Sequence, residues 1–313
     1  MKRRGEVSPL PRTRLRGSPL CGGHPRNAPA ARFARLLPKL SGGLLVLLLA
    51  LGCSSAPKGP VEKRTLRNAG TNQLELANRE ADRGNYEGAL EFLAEARRLA
   101  FTADDPALIV RTYLSLGNVY SFLGRDGEAA ACQDSAGAEA DRAGDGELSA
   151  LCEIYRERRR LSGGASAAEV RDKVQAALSR IKTNPLDEAA GWIVAGLAEK
   201  ELRRFAQAED ALKKALALHA RYPEQAAYDW YIIASVRSVA GDYDAALDAL
   251  DQALDHDRRA ENSYGLGKDW LARGDVLAKA GRREEAADAW RRAAEIFAAA
   301  GLDAEAASAA LRE

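Results

Sequence analysis

A repeat with a period of about 40 residues dominates the chain from residue 70 onward. Five segments share a pattern of Gly, four variable residues and Ala, with Arg203 in place of the Gly in one of them. The successive pattern alanines are separated by 40, 79, 38 and 40 residues, so one degenerate unit with the turn Gly163-Gly164 fills the double gap. A fixed period of this length predicts a stacked array in which each unit packs against its neighbours. The pattern alanines are Ala89, Ala129, Ala208, Ala246 and Ala286.

Aromatic and small residues keep a fixed register with these alanines. An aromatic residue lies sixteen positions before the alanine in four units, and a small residue follows it by four positions. Another alanine lies seven positions after the pattern alanine. Small residues at these places let two helices approach closely while the aromatic ring fills the space beside them. This register resembles the tetratricopeptide repeat (TPR). The residues are Tyr113, Trp192, Trp230 and Trp270, then Gly117, Gly196, Ala234 and Gly274, then Ala96, Ala136, Ala215, Ala253 and Ala293.

The resemblance implies an all-α, right-handed solenoid of about six TPR-like helix pairs with a C-terminal capping helix. Composition agrees, because aromatic residues make up only 6% of the chain and alanine and leucine supply much of its 46% apolar content. Pro106, Pro185 and Pro223 each fall where the first helix of a unit would begin, a position that tolerates proline. We expect a solenoid over 70–313, with units 70–104, 105–144, 147–182, 186–222, 224–260 and 264–300 and a cap over 302–313.

The first 52 residues differ sharply from the repeat array. They contain ten Lys and Arg residues against Glu6 alone, a charge of +9, which leaves −8 for the rest of a chain whose total is +1. A basic stretch followed by the short apolar run Leu44 to Leu51 is typical of an export signal and is too short to span a membrane. The negative charge of the remainder disfavours nucleic acid as a partner.

The end of the apolar run, Ala50-Leu51-Gly52-Cys53, resembles the lipobox of bacterial lipoproteins, although leucine is commoner than alanine at its first position. The resemblance implies that Cys53 receives a lipid and becomes the new N-terminus. An ordinary signal peptide or an uncleaved anchor are the alternatives. By resemblance to the lipoproteins of enteric bacteria, Ser54 and Ser55, with no Asp after the cysteine, imply the outer membrane facing the periplasm. Residues 53–69 are expected to form the lipidated cysteine and a flexible tether.

The repeat region offers little catalytic chemistry. It contains no Gly-rich phosphate loop and no sequence motif of a hydrolase or metalloprotease. His219 and His256 have no set of potential ligands at metal-binding spacing and are expected to be solvated residues at helix ends. We therefore expect no metal, no cofactor and no enzymatic activity. Cys132 and Cys152 flank one short turn, so an oxidising compartment permits a disulfide between them, and two buried free thiols are the alternative.

By resemblance to the TPR family, the first helices of the units line a concave face that binds peptide segments. Asn78 and Asn118 resemble the asparagines of family members whose amides hold a peptide backbone, whereas the lysines of the carboxylate-clamp subclass are absent. We expect a lipid-anchored scaffold or adaptor for a protein or peptide partner in an envelope assembly, such as β-barrel assembly, a pilus or secretion machine, or a transporter. The family's groove positions correspond here to Asn78, Arg111, Leu114, Asn118, Phe122, Tyr228 and Tyr231.

Two other classes of function remain open at this point. A carrier of a small ligand would enclose an apolar cavity within the superhelix, and this hypothesis predicts a closed pocket lined by Leu114, Phe122, Tyr231 and Ile193. An envelope enzyme, or a regulator of one, would need a cluster of titratable groups that the sequence does not reveal.

Overall fold

Thirteen α-helices and no strands make up residues 65–312, the part of the chain that a computed structural model describes. Twelve helices form six consecutive pairs, called units one to six, and the thirteenth packs on the last pair. The first helices of the units are α1 Thr65–Asp82, α3 Pro106–Phe122, α5 Gly146–Ser162, α7 Pro185–Glu201, α9 Pro223–Ala240 and α11 Ser263–Lys279. The second helices are α2 Tyr86–Thr102, α4 Asp126–Ala143, α6 Ala167–Leu178, α8 Phe205–Leu218, α10 Tyr243–Ala260 and α12 Arg283–Ala299. The terminal helix is α13 Asp303–Ala310.

The predicted fold class, an all-α solenoid of helix pairs with a terminal helix, is confirmed. Cys53, where lipidation is expected, and the export signal lie outside the described residues. Helix α1 begins at Thr65, earlier than the expected end of the tether at residue 69. The segment 65–69 contains no helix breaker, and Arg67 forms an ion pair with Asp105 at the start of α3, which ties this first turn to unit two.

The turn between the two helices of a unit depends on a left-handed backbone conformation. In unit one Gly84 has a φ of 78°, and glycines take the same place in four other units. Unit four has Arg203 there, at a φ of 59°, a conformation that is less favourable for a residue with a side chain. Three first helices begin with proline, as expected, and Asp105 caps α3 by accepting a hydrogen bond from the backbone N–H of Leu108 at 3.1 Å.

The core of each unit lies between its two helices. The small residues predicted by the repeat are needed there: a β-carbon on Gly274 would lie 2.4 Å from Cδ1 of Trp290, and one on Gly196 would lie 2.8 Å from Cγ of Leu212. Partly buried Trp192, Trp230 and Trp270 pack against this core. The ten alanines of the two repeat positions have no exposed surface, and they are Ala89, Ala96, Ala129, Ala136, Ala208, Ala215, Ala246, Ala253, Ala286 and Ala293.

Unit three departs from the pattern, as its sequence suggests. Cys152 replaces the aromatic residue and is buried, and α6 has 12 residues where the other second helices have 14 to 18. The connection after α6 is fixed to α5 by Thr183, whose hydroxyl donates to Glu147 at 2.7 Å. None of the helices in residues 65–312 combines the length and the apolar character needed to span a bilayer.

Candidate functional site

The first helices of the units form the inner surface of the superhelix, here called the inner face. Each first helix contacts the first helix of the next unit, from α1 to α3 through to α9 and α11, whereas consecutive second helices lie farther apart. A stack whose units approach more closely on one side curves toward that side. The inner face is therefore the concave surface of the array.

Side chains on the inner face reach across an intervening unit. Arg111 on α3 donates two hydrogen bonds to the carboxylate of Asp187 on α7, each 2.6 Å long, and so spans unit three. Because this pair is bidentate and Asp187 is buried, the ion pair holds the pKa of Arg111 above its usual value. Arg158 on α5 donates to the hydroxyl of Tyr228 on α9 at 3.1 Å.

The two ends of the array touch at a contact that we call the seam, formed by Gly84, Tyr86 and Phe122 on one side and Tyr264 on the other. The hydroxyl oxygens of Tyr86 and Tyr264 lie 3.2 Å apart, so one donates a hydrogen bond to the other. A β-carbon on Gly84 would lie 2.8 Å from the Tyr264 ring. Phe122 stacks on Tyr86 with ring centroids 5.2 Å apart. The seam joins units one and six across 178 positions of sequence.

Carboxylates gather beside the seam. Asp257 and Asp269 are buried and close enough for their carboxyl groups to interact, and burial raises the pKa of Asp257 to about 7 and that of Asp269 to about 9. Asp82, at the end of α1, reaches solvent, yet the surrounding protein and the carboxylates of Glu224 and Asp257 raise its pKa to about 7. Carboxyl groups with raised pKa values therefore gather where unit one meets units five and six.

Apart from Asn78 and the buried Leu114, the predicted groove residues lie in two groups on the inner face. Arg111 and Asn118 both lie next to Tyr155; burial raises the pKa of Tyr155, and Arg158 together with these two neighbours opposes that shift. Phe122 belongs to the seam and is 61% exposed. Asn78 is exposed on α1, and its side chain makes no hydrogen bond within residues 65–312.

The other two aromatic groove residues lie on α9. Tyr228 and Tyr231 stack with ring centroids 6.5 Å apart, and Tyr228 is exposed whereas Tyr231 is half-buried. Helix α9 contacts α11, the helix that carries Tyr264, so α9 lies next to the seam. The exposed rings of Phe122 and Tyr228 are thus the accessible apolar surfaces of this part of the inner face.

Leu114 does not face the groove, and this part of the prediction is wrong. The residue is 2% exposed and packs in a core cluster with Val110 and Cys152, because its face of α3 points between α4 and α5. The closed pocket proposed for a small-ligand carrier is not formed either. Leu114 and Ile193 lie in two separate core clusters, and Phe122 is exposed, so the four residues do not enclose one cavity.

The possible disulfide is also absent, since Cys132 and Cys152 are both free. Cys132 packs toward unit one and lies near Gly117, whereas Cys152 belongs to the core between units two and three. The two thiols therefore pack in different core clusters of the array. Burial raises the pKa of both, to about 11 for Cys152, so both remain protonated and unreactive near neutral pH.

His219 is not the solvated helix-end residue that the sequence suggested. It is buried, and its Nδ1 lies 2.7 Å from Oδ2 of the fully buried Asp229, a contact that connects α8 to α9. Burial raises the pKa of Asp229, and the histidine opposes that shift. No group of His, Cys, Asp and Glu suited to holding a metal ion occurs among residues 65–312.

Several important residues escaped the sequence analysis. Asp187, Tyr155 and Tyr264 have no distinctive motif, and Tyr86 was visible only as a variable position of the turn pattern. Their roles depend on curvature summed over several units, which local patterns do not specify. For His219 a signal was present: Asp229 follows it by ten residues, just beyond the proline that begins the next helix.

No protein-family model matches this sequence, and none of the curated proteins compared with it is a match. Solved structures do resemble it. A Rap protein complexed with Competence and Sporulation Factor has a TM-score of 0.54 at 16% identity, with 78% of this chain and 73% of that chain covered. PilW, described as a widely conserved type IV pilus biogenesis factor, has a TM-score of 0.48 at 17% identity, with 76% and 97% covered. BtubC from P. vanneervenii has a TM-score of 0.49 at 21% identity, with 74% and 92% covered.

The fold is TPR-like. At these sequence identities the likeness establishes the fold alone, and it rests on the Rap structure. The TPR-like array of this chain combines an inner face that carries exposed rings with a seam between its two ends.

Proposed function

We propose that this chain is a lipid-anchored scaffold or adaptor of the bacterial cell envelope, which binds a peptide segment of a protein partner on its inner face. The observation that carries the proposal is the pair of exposed rings, Phe122 and Tyr228, on the concave surface of a TPR-like array. Large aromatic side chains exposed in a concave surface are frequent anchors for a partner. Ion pairs such as that of Arg111 with Asp187 hold the surface rigid, which lowers the entropic cost of binding.

The position in the cell is part of the same proposal. The basic leader, the short apolar run and the lipobox-like sequence ending at Cys53 support export and lipidation. The serines after Cys53 support retention in the outer membrane, with the array in the periplasm. The protein so placed would hold one component of an envelope assembly close to the membrane.

Removing both exposed rings should abolish partner binding. We expect the double variant Phe122→Ser/Tyr228→Ser to recover at least tenfold less partner than the wild type, since truncating each aromatic anchor costs about 2 kcal/mol or more. The measurement is affinity purification from detergent-solubilised membranes of the native host, with quantitative mass spectrometry. Because both side chains are exposed, the variant should keep its helical circular dichroism spectrum.

A matched control uses exposed rings that lie elsewhere. Phe101 lies in the last turn of α2 and Tyr222 precedes α9, and the variant Phe101→Ser/Tyr222→Ser should recover the partner as the wild type does. Full retention of every partner by Phe122→Ser/Tyr228→Ser would disprove binding on this part of the inner face. The triple variant Asn78→Ala/Asn118→Ala/Tyr231→Ala then tests the polar groove positions in the same assay.

The proposed lipid anchor at Cys53 can be tested independently of the inner face. Cys53→Ala should release the array from the membrane fraction, because an acyl chain contributes about 0.8 kcal/mol of membrane affinity for each buried CH₂ group. Fractionation and mass spectrometry of the N-terminal peptide measure the outcome. Unchanged membrane retention together with an unmodified Cys53 thiol in the wild type would exclude lipidation, and it would leave the binding role of the inner face unaffected.

A further inference from the structure

A pocket lies on the side of the array away from the inner face, between units three and four. Helices α6 and α8 are consecutive second helices that stay apart, and α7 forms the floor between them. The pocket has a volume of about 210 Å³, and the small residues Ala195 on its floor and Ala211 on α8 leave this space open. Since a water molecule takes up about 30 Å³ of liquid, the pocket has room for a short aliphatic chain.

The walls of the pocket combine an aromatic face with negative charge. Trp192 and Glu199 come from α7, one face of α8 contributes Asp210, and the amide side chains of Gln175 and Gln207 complete the rim. Glu199 is 8% exposed, and its Oε2 accepts no hydrogen bond. The nearest cation to this oxygen, Nη1 of Arg204, is 3.8 Å away, which is too long for a hydrogen bond.

An unpaired, buried acceptor of this kind destabilises the folded protein. A buried carboxylate oxygen without a donor has lost its hydrogen bonds to water and gained none from the protein, so the folded protein is stabilised when a donor arrives. The distant guanidinium of Arg204 and that of Arg171, 4.0 Å from Oε1, offset the charge of Glu199 only in part. A cationic donor entering the pocket would supply both the hydrogen bond and the missing charge.

A side chain of the protein already shows what the pocket accepts. The ammonium of Lys214 lies 3.8 Å from the centroid of the Trp192 ring, a cation–π contact. Within residues 65–312 this ammonium has no carboxylate partner within 4.0 Å, although Asp210 lines the same pocket. The neighbouring Lys213, by contrast, pairs with Glu209 at 3.1 Å. Lys214 is exposed and can swing away to admit another cation.

We propose that this pocket binds an alkylammonium group, which takes the place of Lys214 over the Trp192 ring and donates a hydrogen bond to Glu199. The group belongs either to a free aliphatic amine or to a lysine side chain of a bound protein. The site is separate from the inner face and does not depend on the scaffold function proposed above.

Titration of the ¹⁵N-labelled full chain with 1,5-diaminopentane tests the proposal. The probe should shift the indole N–H resonance of Trp192 in a saturable way and leave those of Trp230, Trp270 and Trp290 in place. Lys214→Met removes the internal competitor and should tighten binding roughly tenfold, within the range expected for a cation–π contact. Glu199→Gln, added to Lys214→Met, should weaken binding at least tenfold, because the charge is lost.

Lys213→Met is the matched control and should bind as the wild type does. Lys213 and Lys214 are both exposed, so both variants fold and the comparison stands whatever Glu199→Gln does to stability. A second titration replaces the diamine by the peptide acetyl-Gly-Lys-Gly-amide. Tighter binding of the peptide assigns the site to a lysine of a protein partner. Tighter binding of the diamine assigns it to a free amine. The proposal fails if Lys214→Met shows no Trp192 shift with either probe at about 10 mM, or if uncharged 1-pentanol binds equally well.

Discussion

Phe297→Ala should lower the free energy of unfolding by about 3–5 kcal/mol. Phe297 is 1% exposed, and its ring fills the space over Gly267, where a β-carbon would lie only 2.3 Å from Cε1 of the ring. The ring also packs 6.2 Å from that of Tyr264, so the variant removes support from the seam as well as from the core of unit six.

Urea denaturation measures this effect, followed by circular dichroism and by the fluorescence of the four tryptophans, two of which, Trp270 and Trp290, lie in unit six. Phe101→Ala is the matched control. Its ring is 48% exposed and touches Tyr113 edge-on, so we expect a loss of about 1 kcal/mol or less. Equal losses in the two variants would mean that the last unit does not depend on the ring of Phe297.

Stability should fall as pH rises from mildly acidic to alkaline values, chiefly because of Asp257 and Asp269. Their pKa values, raised to about 7 and about 9 by burial and mutual proximity, mean that the folded protein binds their protons more tightly than the unfolded chain does. The stabilisation from this bound proton is complete below about pH 4 and is lost as pH rises through about 7 to 9. Asp229, whose pKa is also raised, acts in the same direction.

Asp269→Asn should remove most of this dependence. At about pH 8.5, several units above the pKa of an unfolded aspartate, we expect the variant to be more stable than the wild type by at least about 2 kcal/mol, since one unit of pKa shift corresponds to about 1.4 kcal/mol. Below about pH 4 the two proteins should be similar, because Asp269 is then protonated in both the folded and the unfolded wild type. Asp244→Asn, at an almost fully exposed site on α10, should leave the pH profile unchanged. A wild type whose stability stays constant from acidic to alkaline pH would show that the buried pair does not share a proton.

The fold was predictable because the repeat specifies close packing within each unit. Close packing of the two helices of a unit requires small residues at positions such as Ala89 and Gly274, and a ring such as that of Trp230 fills the adjacent space. The spacing of these residues in the sequence therefore reflects contacts between two neighbouring helices. Such contacts are local in sequence. Proline and glycine mark the helix ends for equally local reasons, through fixed or left-handed backbone conformations.

The candidate site was only partly predictable, because it depends on how successive units are rotated. Leu114 occupies a position that the family would expose, yet in this chain it turns into the core between α4 and α5. Arg111 was found, but its partner Asp187 lies two units away and carries no sequence signal. The buried pair of His219 and Asp229 was missed because a histidine near a helix end is usually solvated, and here the next unit covers it.

The seam changes how a structural change in one unit affects the other units of the array. In a linear stack an end unit has one neighbour, and a change at one terminus reaches the other only through every unit between them. The contact of Tyr86 with Tyr264 provides a direct route from unit one to unit six. A partner that restricts the motion of the Phe122 side chain would also reduce fraying of unit six, at the other end of the array. Thermodynamic reciprocity then requires that whatever stabilises unit six strengthens the binding of that partner by the same factor.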